Sequence, residues 1–243
     1  MKRALDLVLA APASLVLFPV IAVVLLATYL MDRGSPIYTS QRVGKGGRFF
    51  GMLKVRTMVI KSDETGVNST AGDDPRITAL GRILRRLKLD ETPQLYNILR
   101  GDMSFVGPRP NVPSEVALYS DIERQLLSVR PGVTDFSSIV FADEADILHG
   151  SAHPDRDYNL LIRPGKSRLG LHYVRNRSLV LDLRLMCLTL IAAGAPEWTR
   201  TSVVRTLRRT GADEELVGIA RREQPLVASL PPGGTEDAWE RHL

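Results

Sequence analysis

The sequence lacks the marks of a disulfide-stapled or nucleic-acid-binding protein. Cys187 is the only cysteine among 243 residues, so an intrachain disulfide is excluded and a reducing compartment suits the chain. No zinc-finger spacing occurs, and no strand has the aromatic residues typical of RNA-binding sheets. The formal net charge of +5 therefore points to phosphates or an anionic membrane surface as partners, with no nucleic acid.

Charge is absent from a long stretch near the N-terminus. No charged residue occurs over residues 7–31, and a helix of that length reaches across a bilayer at about 1.5 Å per residue. The run is not typical of a signal peptide, because it is long and no small-residue cleavage site precedes the next charges. Pro12 and Pro19 lie inside it, and each removes a helical hydrogen bond. We therefore expect a membrane helix with a bend.

Basic residues flank this run on both sides, and basic flanks favour the cytoplasmic side of a membrane. They are Lys2 and Arg3 before it, and Arg33, Arg42, Lys45, Arg48 and Lys54 after it. A helix that enters the membrane, bends at Phe18-Pro19 and returns places both flanks in the cytoplasm. From the residues alone, an ordinary kinked span with three residues outside is the alternative.

A β-hairpin is predicted after the membrane segment. Residues 37–42 and 49–55 have strand composition and flank a glycine-rich loop without Walker spacing. In the second strand Lys54 and Arg56 are two apart and share a face. They either contact a diphosphate or form a solvated face. The polar residues 61–73 predict a loop.

An amphipathic segment opens the central stretch, residues 74–110. Its apolar residues have helical spacing along one face, and basic residues surround them. The apolar positions are Ile77, Leu80, Ile83, Leu84 and Leu87, and the basic ones are Arg82, Arg85, Arg86 and Lys88. This pattern predicts a helix that binds an anionic membrane surface.

Two adjacent carboxylates, Asp90 and Glu91, follow this segment. Thr92 is expected to cap a helix over residues 94–100, which Gly101 ends. Carboxylates beside a helix N-terminus and several arginines suit a phosphate site, where one of them acts as a nucleophile or holds Mg²⁺. The alternative is that both carboxylates only complement the helix dipole.

The central stretch contains the run LDETPQLYNILRGDMSFVGPRP, and RPGVT follows later. Together they resemble the bacterial sugar transferase family, the monotopic polyprenyl-phosphate phosphoglycosyl transferases that initiate exopolysaccharide and glycoconjugate synthesis. The resemblance covers about residues 2–193. It implies transfer of a sugar 1-phosphate from a UDP-sugar to polyprenyl (undecaprenyl) phosphate, with release of UMP. It also implies the re-entrant helix, although the family commonly has Ser-Pro where this chain has Phe18-Pro19.

The resemblance assigns roles to the acidic pair. Asp90 is the expected nucleophile, which forms a covalent aspartyl phosphosugar, and Glu91 serves metal binding or positioning. Mg²⁺ is the expected cofactor, with Asp90 and Glu91 as its ligands. The residues expected to contact substrate phosphates are Lys54, Arg56, Arg85, Arg109 and Arg130.

One departure from the family concerns the segment after Thr134. Relatives have an arginine near the position of Ala142 that is thought to help hold the substrate, and this chain lacks it. Another cation is expected to replace it, and the candidates are Arg130, Arg163 and Lys166.

The predicted fold is α+β and membrane-associated, with a re-entrant (kinked) N-terminal helix, a small β-hairpin and several amphipathic or interfacial helices. We divide it into the membrane helix (1–33), a cytosolic phosphoglycosyl transferase domain (34–194) and a polar, partly disordered C-terminal tail (195–243). Further helices are expected over residues 111–127, 169–193, 203–209 and 214–222. The expected location is the bacterial inner membrane, with the active site on the cytosolic face.

Two other functions use the same residues. A Mg²⁺-dependent lipid phosphate phosphohydrolase would pass the phosphoryl group to water, and a non-catalytic membrane adaptor would only bind lipid head groups. The sugar, the prenol length and the oligomeric state, including a homodimer, stay open.

Overall fold

The computed structural model of the chain describes residues 1–62 and 70–235. The strands in this part are β1 (Ile37–Val43), β2 (Phe49–Val55), β3 (Ser104–Val106) and β4 (Gly132–Thr134). The α-helices are α1 (Lys2–Asp32), α2 (Ala79–Arg86), α3 (Gln94–Arg100), α4 (Pro113–Ala117), α5 (Phe136–Val140), α6 (Glu144–Ile147), α7 (Pro154–Asp157), α8 (Arg163–Asn176), α9 (Leu179–Ala192), α10 (Pro196–Arg209) and α11 (Glu214–Arg221). The predicted mixture of helices with a small hairpin is confirmed. The expected loop lies partly, and the end of the expected tail wholly, outside the described residues.

Helix α1 is one continuous helix of 31 residues, about 46 Å long. It is long and apolar enough to cross a membrane, and its middle carries exposed apolar side chains such as Leu15, Val16 and Phe18. Pro12 and Pro19 lie inside it, and the helix continues through both. The predicted apolar helix is therefore confirmed, while the break at Phe18-Pro19 stays a prediction.

The N-terminal end of α1 is held by a lysine. Lys2 donates from Nζ to Oδ2 of buried Asp182 at 2.7 Å and to the Tyr173 hydroxyl at 3.1 Å. The Tyr173 hydroxyl donates to the other Asp182 oxygen at 2.6 Å. This network joins α1 to α8 and α9.

One turn further along α1, a second charged residue enters the domain. Buried Asp6 accepts hydrogen bonds from the Ser104 hydroxyl at 2.9 Å and from the Phe105 backbone N–H at 3.2 Å. Arg3 donates to the carbonyl oxygens of Ile98 and Leu99, which belong to the last turn of α3. The first turns of α1 are therefore part of the folded domain.

The hairpin forms as the sequence predicts. Strands β1 and β2 pair antiparallel, from Ile37 opposite Val55 to Val43 opposite Phe49. Gly46 and Gly47 have φ angles of 68° and 78° in the connecting turn, a backbone region that favours glycine.

A pair of short parallel strands positions the loop after β3. Ser104 pairs with Gly132, and the Gly107 backbone N–H donates to the Thr134 carbonyl at 2.9 Å. A Cβ atom at Gly132 would lie 2.1 Å from the Gly107 nitrogen, so only glycine allows this approach. The residues after Gly107, Pro108 to Pro110, are thus held at the edge of the sheet.

The main core lies among the C-terminal helices. Phe136, Leu169 and Leu185 of α5, α8 and α9 are fully buried together with Leu207 of α10 and Val217 of α11. Helices α10 and α11 therefore pack on the same core as the preceding helices. The division of the chain at residues 33 and 194 stays a prediction.

Two predicted helices are each divided, so those predictions were wrong as single helices. Residues 111–127 form α4 and a 3-10 turn over Glu123–Ser128, because Ser120 and Glu123 bond each other's backbone N–H at 3.1 Å and start a new turn. Residues 169–193 are divided between α8 and α9, because Ser178 accepts a capping bond from the Leu181 N–H at 3.2 Å.

Helix α2 exposes part of its predicted apolar stripe. Ile77 and Leu84 are buried, but Ile83 and Leu87 are 57% and 59% exposed. The exposed side of α2, continued by Leu87 and Lys88 after its end, therefore combines apolar side chains with the exposed Arg82 and Arg86, as an interfacial helix requires.

A buried ion pair predicts a strong effect on stability. Arg163 donates to both carboxylate oxygens of Glu123, at 3.1 and 2.6 Å, and both side chains are almost fully buried. We expect Glu123→Ala to lower the free energy of unfolding by about 3–5 kcal/mol, because it removes the carboxylate that neutralises the buried Arg163 charge. The measurement is denaturant unfolding in detergent. The matched control is Glu214→Ala, which removes the exposed partner of Arg208 and should cause no measurable loss. Equal effects of the two variants would contradict this role.

Candidate active site

The two acidic residues lie on a turn between α2 and α3. Leu89–Glu91 form a 3-10 turn, and Thr92 and Pro93 continue the right-handed backbone into α3. The prediction that Thr92 caps α3 was wrong. Its backbone is already helical, whereas a capping residue is extended, and its hydroxyl donates instead to the Leu89 carbonyl at 2.7 Å. Gly101 ends α3 with a φ of 96°, as predicted.

Glu91 is held by two cations. The Arg109 guanidinium contacts both of its carboxylate oxygens, and Lys54 Nζ lies 3.5 Å from Oε1. Burial alone would raise the pKa of Glu91, but the charges of Arg109 and Lys54 outweigh it and hold that pKa far below its ordinary value. Glu91 in turn raises the pKa of Arg109 above its ordinary range. Glu91 is therefore a permanent anion that fixes both cations.

Lys54 and Arg109 reach Glu91 from separate elements. Lys54 is on β2, and Arg109 lies in the loop after β3. Burial and the neighbouring Arg109 lower the pKa of Lys54 to about 8, although Glu91 acts in the opposite direction. The Lys54 charge is thus available at neutral pH and lost in mildly alkaline solution.

A third cation comes from α2. Gly81 allows this helix to approach the end of the hairpin, since a Cβ there would lie 2.0 Å from the Thr57 carbonyl oxygen. One turn later Arg85 donates from Nε to the Thr57 hydroxyl at 2.9 Å. Burial lowers the pKa of Arg85, and the charge of Asp90 opposes this shift, which places Arg85 on the Asp90 side of the acidic pair.

Asp90 differs from Glu91 in its surroundings. It is only 7% exposed, yet in the described part of the chain no group donates a hydrogen bond to its carboxylate. Burial, followed by the charge of Glu91, raises the pKa of Asp90, while Lys54, Arg85 and Arg109 oppose the shift. Three cations and two carboxylates leave one positive charge, so the cluster can accept an anion beside an unbonded carboxylate.

Two of the predicted phosphate ligands lie elsewhere. Arg56 pairs with Asp32 at the end of α1, at 2.7 and 2.5 Å, and Arg130 donates from Nε to the Gly101 carbonyl at 2.9 Å. The structure therefore brings Lys54, Arg85 and Arg109 to the acidic pair. It does not bring Arg56 and Arg130 there.

Lys166 is the remaining candidate to replace the family arginine. Arg163 is almost fully buried in its ion pair with Glu123, so it cannot reach a substrate. Lys166 pairs with Glu144, and both of these side chains are partly exposed. Burial would raise the pKa of Glu144, but Lys166 outweighs it, and the nearby Arg109 lowers that pKa further. The pair therefore lies next to the cluster. Sequence reasoning missed Glu144, whose only signal was an acidic segment where relatives have the arginine.

The fit of Mg²⁺ depends on the donors that the acidic pair leaves open. Among residues 1–62 and 70–235, no group of three or more His, Cys, Asp or Glu side chains could hold a metal ion. Glu91 is already engaged by two cations, whereas the Asp90 carboxylate is open. Mg²⁺ commonly takes one or two carboxylates and completes its shell with water and substrate phosphates. The residues present fit that arrangement and do not fit a metal cage built from protein alone.

Comparison with known proteins gives relatives over most of the chain. Exopolysaccharide production protein ExoY of Sinorhizobium fredii is 35% identical over 206 residues, which cover 79% of this chain and 84% of that protein. The undecaprenyl-phosphate glucose phosphotransferase of Komagataeibacter xylinus is 36% identical over 199 residues, covering 78% of this chain and 35% of that protein. The undecaprenyl-phosphate galactose phosphotransferase of Salmonella typhimurium is 37% identical over 161 residues, which cover 60% of this chain and 34% of that protein.

The comparison with protein families covers the same region. Residues 1–195 match the family described as bacterial sugar transferase. The match includes α1, the hairpin, the acidic pair and the loop of Arg109, which carry the geometry of the site. The prediction made from the central run is thus confirmed: this chain belongs to the bacterial sugar transferase family.

Proposed function

We propose that the protein is a phosphoglycosyl transferase that moves a sugar 1-phosphate from a UDP-sugar to polyprenyl phosphate and releases UMP. Family membership supports this reaction, as do two relatives named as undecaprenyl-phosphate phosphotransferases. This chain spans about a third of the length of those two. The observation that carries the proposal is the buried, unbonded Asp90 carboxylate beside three cations.

In the first step, an Asp90 oxygen attacks the β-phosphorus of the UDP-sugar. The bond from that phosphorus to the bridging oxygen breaks, and UMP leaves with the electron pair, so an aspartyl phosphosugar remains. An anionic nucleophile and a diphosphate repel each other. Arg85, Arg109 and Lys54 offset this repulsion and stabilise charge on the transferring phosphate oxygens.

In the second step, an oxygen of polyprenyl phosphate attacks the phosphorus of the aspartyl phosphosugar. The bond to Asp90 breaks, the carboxylate is restored, and the lipid leaves as a sugar-bearing diphosphate. Asp90 and Glu91 would hold Mg²⁺, and the ion would supply further positive charge to the phosphate oxygens. Glu91 keeps Arg109 and Lys54 in place throughout.

The contacts of α1 support the re-entrant topology at the cytosolic face of the inner membrane. Lys2 near its start pairs with Asp182, and Asp32 at its end pairs with Arg56. Arg56 is two residues from Lys54, which reaches the site. The folded domain contacts both ends of α1. If α1 spanned the bilayer, part of this charged domain would have to lie within the hydrocarbon, at a high energetic cost. A helix that returns keeps both ends with the domain.

The exposed face of α2 supports access from the membrane surface. Ile83 and Leu87 are exposed on the same helix that supplies Arg85 to the site. A lipid phosphate at the interface and a water-soluble diphosphate can thus meet at one cluster, and neither moves far from its own solvent.

The nucleophile is tested by substitution. Asp90→Asn keeps the shape and removes the charge, so we expect UMP release to fall by at least about 10³-fold and no covalent phosphosugar to accumulate. UMP release and labelled lipid product from a panel of UDP-sugars are measured with and without polyprenyl phosphate. Asp102→Asn, in the turn after α3, is the matched control and should keep normal turnover. An adduct mapped to Glu91 would overturn the assignment, and release of inorganic phosphate from polyprenyl phosphate without labelled lipid product would indicate a phosphohydrolase.

The lowered pKa of Lys54 predicts an alkaline limit. Lys54 is charged below its pKa of about 8 and neutral above it, so kcat/KM for the UDP-sugar should fall about tenfold per pH unit above that pH. Lys54→Arg stays charged, and its profile should extend to higher pH. The control Lys45→Arg, in the exposed hairpin turn, should keep the wild-type profile. An unchanged limit in Lys54→Arg would assign it to another group.

The topology is tested by labelling single cysteines in a Cys187→Ser background. Ala4 and Arg48 are exposed on the two flanks of α1. We expect Ala4→Cys and Arg48→Cys to react with an impermeant maleimide only after the inner membrane is opened, because Lys2 and Lys54 should both face the cytosol. Reaction of Ala4→Cys in intact cells would establish the kinked span instead.

A further inference from the structure

Gln94, the first residue of α3, is buried without a hydrogen-bond partner. Its side chain is 1% exposed, and neither Oε1 nor Nε2 has a partner within the described structure. A buried polar group left unpaired lowers the stability of the fold. Such a cost at the edge of an active site points to a partner that arrives during function.

The neighbouring amide on α3 shows that this helix face can satisfy a buried amide. Asn97 is 2% exposed and three residues further on. Its Nδ2 donates to the Gly51 carbonyl at 2.7 Å, and its Oδ1 accepts the Leu53 backbone N–H at 3.0 Å. Strand β2 thus binds Asn97 fully and leaves Gln94, one turn closer to the acidic pair, unbonded.

Gln94 lies one helical turn after Asp90. The backbone is right-handed from Leu89 through Arg100, so residues four apart share a face. Side chains on a helix tilt toward its N-terminus and cover the preceding turn. Helical geometry therefore places Gln94 one turn from Asp90 on a shared face, and the Asp90 carboxylate accepts no hydrogen bond from the described residues. A buried amide without a partner is thus one turn away from a carboxylate without a donor.

We propose that Gln94 is a positioning residue for Asp90: its Nε2 donates to one carboxylate oxygen when the diphosphate binds, and the other oxygen is left to attack phosphorus. The proposal rests on the proposed function, because it assigns the attack to Asp90. At 1% exposure Gln94 is too deep to meet the substrate first, so it acts through the carboxylate.

A neutral amide suits this role better than a cation. Lys54, Arg85 and Arg109 act on Asp90 through their charges, but substrate phosphates need their hydrogen bonds. A neutral amide fixes the orientation of Asp90 and adds no charge to its carboxylate.

The test compares Gln94→Met with the wild type and with Asn97→Leu. Met has a similar length and no amide, so Gln94→Met should keep or raise the melting temperature, because it removes an unpaired buried group. We expect its kcat to fall roughly 10- to 100-fold through misplacement of Asp90, with KM for the UDP-sugar within about threefold. Asn97→Leu should instead lower the melting temperature, because it leaves the Gly51 carbonyl and the Leu53 backbone N–H without their hydrogen-bond partner.

The outcomes separate this inference from the proposed function. A wild-type protein that releases no UMP contradicts the proposed function. Normal wild-type turnover, loss in Asp90→Asn and unchanged kcat in Gln94→Met would overturn only the role of Gln94. Should Gln94→Met fail to fold, Gln94→Leu also removes the amide donor with little change in volume. It should lose at least as much kcat, and wild-type kcat in that variant would also overturn the proposal.

Discussion

The contact of Glu91 with Arg109 and Lys54 is the interaction on which the site depends. It joins three separate pieces of the chain: the turn before α3, the loop after β3 and strand β2. Other contacts also fix these pieces. Asn97 of α3 bonds to β2, and the pairing of β3 with β4 at Gly132 holds the loop after β3. Because Glu91 is fully engaged, the two cations keep their positions without help from Asp90. The Asp90 carboxylate, the proposed nucleophile, can therefore stay unbonded, which a lone carboxylate among three cations could not.

A second constraint is that the site must be accessible from both water and the membrane surface. The domain encloses the first turns of α1 through Lys2 and Asp6, and it takes up the end of that helix through Asp32. The middle of α1 keeps exposed apolar side chains, and α2 supplies both exposed Ile83 and the site cation Arg85. Helix α2 thus combines charge for phosphate binding with apolar surface for a membrane, as the proposed transfer to a lipid requires.

Local patterns were predicted well from the sequence, and distant contacts were not. The glycine turn of the hairpin and the Gly101 end of α3 depend on neighbouring residues only, and both are confirmed. Strand alternation placed Arg56 beside Lys54, but Arg56 lies past the end of β2 and pairs with Asp32. Glu144 could not be found from the sequence, because its place near Arg109 depends on packing across the whole domain. The predictions of two single helices were wrong for a local reason, because Ser120 with Glu123 and Ser178 form caps that divide these segments.

The adjacency of Asp90 and Glu91 explains how two chemically similar groups take different roles. On a tight turn, neighbouring side chains point in different directions, so Glu91 contacts Arg109 while Asp90 is buried without a hydrogen-bond donor among the described residues. Their pKa values move in opposite directions as a result, downward for Glu91 and upward for Asp90. A pair of carboxylates with pKa values driven apart is a recurrent sign of divided roles. Greater affinity for a proton accompanies greater affinity for phosphorus, so the raised pKa of Asp90 is consistent with the proposal that it, and not Glu91, is the nucleophile.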